Sequence, residues 1–248
     1  MSAARRSNHH HHRPGNRRSK HQKLAPMEYE KSLRERGYNY IIGTDEVGRG
    51  SIAGPVLAVS CCILHPIQGV NDDELKLIDF VTDSKELTEQ QRLHIYDQIH
   101  NEDTNNNKYY KYSISQRSSQ DIQNTNILKA TMECFQESIQ SLILNENLPL
   151  DQTYAVVDGK STPKLVNGPT PIPCRPYVSA DKHIYTVSIA SILAKVIRDN
   201  MMVDASKLYP EYGFDVNKGY STKSHIEAIH KYGPCPLHRM SFKPLQYR

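Results

Sequence analysis

Three places in the chain set acids where metal-assisted chemistry could use them. The first is Thr44-Asp45-Glu46-Val47-Gly48-Arg49-Gly50, two adjacent carboxylates after an apolar run and directly before a glycine-rich turn. Neighbouring side chains on a strand face opposite ways. A turn at the strand end would break that alternation and bring both acids to one point. The second is Asp158-Gly159, which closes the apolar run Val156-Val157. An Asp at the carboxyl end of a strand stands where open α/β sheets place their ligands. The third is Asp181, just before an apolar helical stretch starting near Ser188. Several acids gathered at one sheet edge repel one another unless cations lie between them. Hard cations such as Mg²⁺ take oxygen ligands and pair with phosphate. Two of them about 4 Å apart clamp a phosphodiester through its displacement. Arg49 sits between two glycines that let backbone amides approach closely, and its guanidinium can meet phosphate in bidentate fashion.

Other chemistries fit less well. A dinucleotide fingerprint needs G-x-G-x-x-G, and Gly54 falls one position too late, although Asp72 and Asp73 lie about 20 residues on. Ser191 and Lys195, four apart on a helix, have the spacing of a Ser–Lys hydrolase, but Ser191 lies among Ile and Ala and reads as a buried helix hydroxyl. Asp199 is a rival to Asp181; beside Arg198 in an apolar helix it reads as half of a structural ion pair. Lys195 and Arg198 are either structural or phosphate-facing.

The elements that must position these residues are legible as periodicity. Helices are expected at Glu28–Arg36, Thr88–Gln98, Ile122–Leu144, Ser188–Asp204 and Ser221–Tyr232. Strands are expected at Tyr38–Thr44, Val56–Leu64, Tyr109–Ser115 and Tyr154–Val157. In the long Ile122–Leu144 segment, Ile127, Leu128, Met132, Phe135, Ile139, Leu142 and Ile143 recur at three- and four-residue steps. Strands first and alternation afterwards indicate a mixed α/β domain with a helical C-terminal portion. The organisation expected is a disordered basic leader at 1–26, a catalytic domain at 27–200, and a helical portion at 201–248 packed on it.

Composition narrows the classes. With 248 residues, 38% hydrophobic and 23% charged, the chain can bury a core. No window nears the roughly 18 consecutive apolar residues of a membrane span. The formal net charge of +4 is misleading, because residues 1–26 hold seven Lys/Arg and no acid, leaving 27–248 at −3. A non-catalytic nucleic-acid binder is the alternative to an enzyme, and an acidic body argues against it, since duplex affinity comes mainly from phosphate neutralisation. The leader is too polar to fold. It leaves nuclear or organellar targeting open beside a cytoplasmic location, and its His9–His12 run reads as adventitious. Five cysteines without a C-x-x-C pair point to a reducing compartment.

Taken in order, these segments resemble the type 2 ribonucleases H, the bacterial ribonuclease HII. The resemblance rests on Asp45-Glu46-Val47-Gly48-Arg49-Gly50 with Ala53-Gly54-Pro55-Val56, and on Asp83-Ser84-Lys85-Glu86-Leu87-Thr88. It continues through Asn126–Met132, Asp158-Gly159 with Pro163-Lys164-Leu165, and Ala190–Asp199. The C-terminal blocks are Tyr212-Gly213-Phe214, Lys218–Thr222 and His238–Phe242. It covers about residues 28–245. The chain departs at Ser179-Ala180, where the family has Lys-Gly, and at Val187–Ala190. The resemblance implies a ribonuclease H-like fold, a central mixed sheet flanked by helices. It implies Asp45, Glu46, Asp158 and Asp181 as catalytic acids holding two divalent ions, Mg²⁺ or Mn²⁺. It assigns Gly48, Arg49 and Gly50 to the ribonucleotide 2′-OH, Tyr220 to the sugar 3′ of the scissile phosphate, and Lys85 to the substrate backbone. The implied reaction is hydrolysis 5′ of ribonucleotides in RNA–DNA hybrids and in duplex DNA with embedded ribonucleotides, leaving 3′-OH and 5′-phosphate ends. The motif wording favours a monomer.

Overall fold

The computed structural model describes residues 25–64, 78, 81–100, 108–165 and 171–247. Most of the expected leader, the His9–His12 run, the Asp72–Asp73 pair and most of the Asn-rich segment before Tyr109 lie outside the described residues. Within the expected leader, Ala25 is buried and donates its N–H to the Val81 carbonyl at 2.8 Å.

The strands are β1 (Tyr40–Val47), β2 (Val56–Ile63), β3 (Tyr110–Arg117), β4 (Thr153–Asp158) and β5 (Cys174–Tyr177). They form one mixed sheet in the order β3-β2-β1-β4-β5. β1, β2 and β3 are antiparallel neighbours, while β4 runs parallel to both β1 and β5. β2 is buried along its whole length because both faces are covered. Its Leu57, Val59, Cys61 and Ile63 pack on one side, with α2 (Glu89–His100) and α6 (Tyr185–Leu208). Its Val56, Ala58 and Cys62 pack on the other, with α4 (Ile127–Asn145). This alternation by two is what a double-sided core requires.

Helix α6 lies against β1 at Gly43, where any Cβ would collide with the backbone of Thr186 and Val187. Glycine there brings the helix directly behind the strand that carries Asp45. α6 has no side-chain cap of its own. Glu30 of α1 (Glu28–Arg34) supplies one instead, its Oε1 accepting from the Thr186 N–H at 2.9 Å.

Several expectations are revised. β1 does not stop at Thr44 but runs through Asp45 and Glu46 to Val47, because β2 continues to pair with it there. The expected helix 122–144 is two helices, α3 (Ser119–Asn124) and α4, because the Asn126 side chain caps Lys129 N–H and starts a new one. Leu128, expected on its apolar face, is half exposed. α6 begins at Tyr185, earlier than expected, and runs through position 200 into the C-terminal portion. β5, α5 (Ala180–His183) and α7 (Phe214–Asn217) are too short for periodicity to reveal. The C-terminal part, with α7 and α8 (Lys223–Tyr232), encloses its own cluster of Ile52, Met202, Tyr212, Phe214 and Ile229. All five cysteines are unbridged, and among the described residues no helix is long and apolar enough to cross a membrane.

Candidate active site

At the carboxyl ends of β1 and β4 a cavity of about 540 Å³ opens, and all nine residues expected in the site line it. Their placement follows from how the sheet ends. The parallel pairing of β1 with β4 stops at Thr44↔Val157, so Asp45 and Glu46 project beyond that neighbour although still in a strand. Convergence therefore comes from a missing neighbour, not from the expected turn. Asp158 ends β4, and its Oδ1 accepts from the Ala180 N–H at 2.7 Å. That bond ties the strand end to α5, which follows a left-handed turn at Ser179 (φ 59°) and carries Asp181.

The carboxylates are poorly solvated and close enough to oppose one another. Burial, then the charges of Glu46 and Asp158, push Asp45 well above the usual carboxylate range, against hydrogen bonds from Ser191 and the Glu46 N–H. Burial also raises Glu46, with Arg49 opposing, and raises Asp158, with the Ala180 N–H opposing. Asp181 is 4% exposed. Two side-chain cations stand against this charge. Arg49 Nη1 lies 3.5 Å from Glu46 Oε1, and Lys85 Nζ lies 3.6 Å from Asp181 Oδ2. Burial alone would lower the Lys85 ammonium; the carboxylates of Asp181, Asp83, Asp45 and Asp158 outweigh it and hold it above its ordinary value.

The Asp83-Ser84-Lys85 loop is stapled over the cavity by a second pair, Asp83 Oδ2 to Lys182 Nζ at 3.2 Å. Ser84 Oγ meets Ser191 Oγ at 3.0 Å. Ser84, Arg92, Ser191 and Lys195 also line the cavity. None of the four is among the nine expected site residues; the Ser-Lys motif at 84–85 is the signal that could have found Ser84. The Ser–Lys hydrolase reading fails on geometry, since Lys195 Nζ is engaged by Asp199 at 2.8 Å and Ser191 by Ser84 and Asp45. Asp199, the rival to Asp181, forms its ion pair with Lys195, next to the expected partner Arg198, and is not on the cavity wall. Arg198 is fully buried on backbone carbonyls, which excludes the phosphate-facing reading.

The donor set fits hard divalent cations: four carboxylate side chains and no sulfur or imidazole on the wall. Among the described residues no three acidic, thiol or imidazole groups are already gathered at ligating distance. The carboxylates face one cavity and stand apart in it, as anions repelling in a poorly hydrated space do.

The sequence model of ribonuclease HII matches residues 42–245. The ribonuclease HII of Chlamydia pneumoniae is 37% identical over 223 residues, 90% of this chain and 92% of that protein. Among solved structures, the ribonuclease H2 of Pyrococcus horikoshii superposes with a TM-score of 0.63 at 23% identity, covering 84% of this chain and 96% of that one. Bst-RNase HIII, solved in complex with Mn²⁺, has a TM-score of 0.61 at 15% identity, covering 87% and 70%. The two superpositions establish the fold, and the extent of the sequence matches establishes more: the chain belongs to the ribonuclease HII family and is a ribonuclease H enzyme.

Proposed function

We propose that this endoribonuclease of RNA–DNA hybrids also cuts duplex DNA at embedded ribonucleotides, hydrolysing the phosphodiester on their 5′ side. The observation that carries the proposal is the convergence of Asp45, Glu46, Asp158 and Asp181 on one cavity whose rim holds Gly48-Arg49-Gly50 and Tyr220. Asp45, Glu46, Asp158 and Asp181 are the groups that would hold two divalent ions, Mg²⁺ or Mn²⁺. When bound, such ions activate water, stabilise the leaving 3′ oxygen and relieve the repulsion among the acids.

The remaining residues bind and orient. The Gly48-Arg49-Gly50 backbone approaches the ribose closely enough to read the 2′-OH, the one group that marks RNA at that position. Gly48 has φ 83°, and a Cβ there would collide with the Arg198 side chain and the Pro55 carbonyl behind the loop, so seating the loop there requires glycine. The Tyr220 ring, part-exposed at the rim, packs on the sugar 3′ of the cut, where a deoxyribose fits by shape. Lys85, mostly exposed beyond its Asp181 contact, reaches the substrate backbone. The products carry 3′-OH and 5′-phosphate ends, and the working form is a cytoplasmic monomer.

One assay tests this reading: a duplex with a single ribonucleotide, incubated with Mg²⁺, with Mn²⁺ and with EDTA. Cutting 5′ of the ribonucleotide in the metals alone is the expected result. No cutting, or cutting in EDTA, overturns it.

A further inference from the structure

Behind the glycine-rich loop lie two guanidinium groups that the reaction does not touch. Arg198 and Arg239 are both fully buried, and among the described residues neither makes an ion pair. Their partners are backbone carbonyls. Arg239 donates to Gly54 through Nε and Nη2 (3.0 and 2.7 Å) and through Nη1 to Ser51 (2.8 Å) and Arg49 (3.3 Å). Arg198 donates to Pro55 (2.9 Å), Ala53 (3.1 Å) and Lys218 (2.9 Å). Its guanidinium carbon also lies 5.8 Å from the centre of the Tyr220 ring.

Packing does not explain such a pair. Leucine or methionine would fill the volume without the desolvation penalty of a buried charge. Burial, with Arg198 nearby, pulls Arg239 down to about 9, a measure of how costly the arrangement is. The geometry shows what the two forks do. Across a planar trans peptide, the N–H of one residue points away from the carbonyl of the residue before it. Seating the Arg49 carbonyl on Arg239 turns the Gly50 N–H away from Arg239, on a loop that lines the cavity. Arg198 spans from that loop to Lys218, two residues before Tyr220, so one side chain fixes the distance between both rims.

We infer that Arg239 and Arg198 are positioning residues that set ribose selectivity by holding the 49–55 loop and the Tyr220 rim in register. This rests on the reading of Gly48-Arg49-Gly50 and Tyr220 as ribose-facing. Lysine keeps the charge and loses the planar fork, so it separates geometry from electrostatics.

The test compares the parent protein with Arg239→Lys and Arg198→Lys. Each is titrated by fluorescence anisotropy with a duplex holding one ribonucleotide and with the all-deoxy duplex, in Ca²⁺, with intact strands checked on a gel. Loss of one well-placed hydrogen bond should cut the ribo-to-deoxy preference about fivefold. All-deoxy affinity and Ca²⁺ affinity should stay within about twofold of the parent. Arg198→Lys serves as the independent arm if Arg239→Lys does not fold. Variants that only lower Tm and keep the parental preference overturn the inference and make the arginines purely structural. A parent protein with no preference for the ribonucleotide overturns the underlying reading of the loop instead, and the inference with it.

Discussion

The cavity and the C-terminal support behind it both bury charge, and they handle it in opposite ways. On the cavity side, Asp45 and Asp181 are almost fully buried, and the answering cations, Lys85 and Arg49, stand 3.5 Å or more away. On the support side, two buried guanidiniums are met by six carbonyls, and two buried imidazoles are met by each other and by backbone. Unmet charge stores a demand that a ligand can satisfy; met charge holds shape. The two kinds of polar burial thus divide chemistry from its scaffold along the 48–55 loop.

The largest expected effect comes from removing one unmet charge. Asp45→Asn should lower kcat/KM on an RNA–DNA hybrid by on the order of a thousandfold. It should leave Tm equal to the parent or higher, because a neutral amide removes both the desolvation and the repulsion by Glu46 and Asp158. Near-parental turnover at saturating Mg²⁺ would remove Asp45 from the chemistry. The same substitution logic on the support side, where charges are met, should instead lower Tm. Opposite signs of the stability change are the test of the contrast.

A smaller effect belongs to Lys85, which serves Asp181 in place of a bound cation. Lys85→Met should raise KM for duplex roughly tenfold, about 1.4 kcal/mol, with kcat within a few-fold. Calorimetry without nucleic acid should show divalent ions binding more tightly to this variant, since no ammonium competes for Asp181. If both measurements match the parent, Lys85 is a solvated surface charge.

The sequence carried the acids more clearly than their geometry. Asp45, Glu46 and Asp158 stand at the ends of β-prone runs, and strand ends are where a sheet can deliver side chains to one place. Where the strands would stop was not legible, because it depends on which neighbour continues: β2 extends past Thr44 and β4 does not. Asp181 was legible from its spacing to the following helix, but α5, four residues long, has no period to detect. The break between α3 and α4 falls in the polar stretch Gln123-Asn124-Thr125-Asn126, which the apolar Ile122 and Ile127 on either side make read as one face of a continuous helix. Arg198 and Arg239 were invisible as a clamp, because their partners are main-chain oxygens and leave no trace in side-chain patterning.

The support side has its own pH test. His238 Nδ1 accepts from the Cys235 N–H at 2.9 Å, a shorter contact than the 3.2 Å to the Cys235 carbonyl, so the neutral ring that keeps this bond carries its proton on Nε2 and gives it to His225 Nε2 at 3.1 Å. His225 then donates from Nδ1 to the Tyr220 carbonyl at 2.8 Å. An added proton would set two N–H groups against each other. Burial, and then His225, hold His238 down to about 4, and burial also lowers His225. For a base with a depressed folded value, stability is complete above the unfolded value of about 6.5 and is lost as pH falls from there toward 4. The parent should lose roughly 2 kcal/mol across that window, several degrees of Tm. His238→Asn, measured by thermal melts from pH 7 to 4.5, should show a flatter curve. Parallel curves would mean that the imidazole pair does not titrate with folding.

Glu30 lies between the two extremes and has the smallest expected effect. It is fully buried; Oε1 is satisfied by the Thr186 N–H and hydroxyl, while Oε2 has no hydrogen-bond partner among the described residues. Burial raises its pKa despite those hydrogen bonds and Arg34. A raised acid favours the protonated form in the folded protein, so the folded state binds more protons above the unfolded value of about 4.3. Stability then falls as pH rises through that window. Glu30→Gln is neutral throughout and should not share the slope. The difference in Tm between the two proteins should therefore move in favour of the variant from pH 4 to 7. The size should not exceed about 1 kcal/mol, the usual worth of a helix cap, or 2–4 °C in a chain of this length. Activity on hybrid should be unchanged, because Glu30 does not line the acidic cavity and half its charge is met at the amino end of α6. If the variant instead loses turnover at constant Tm, then a partly met charge remote from the cavity controls the chemistry, and the division between unmet charge for reaction and met charge for shape does not hold.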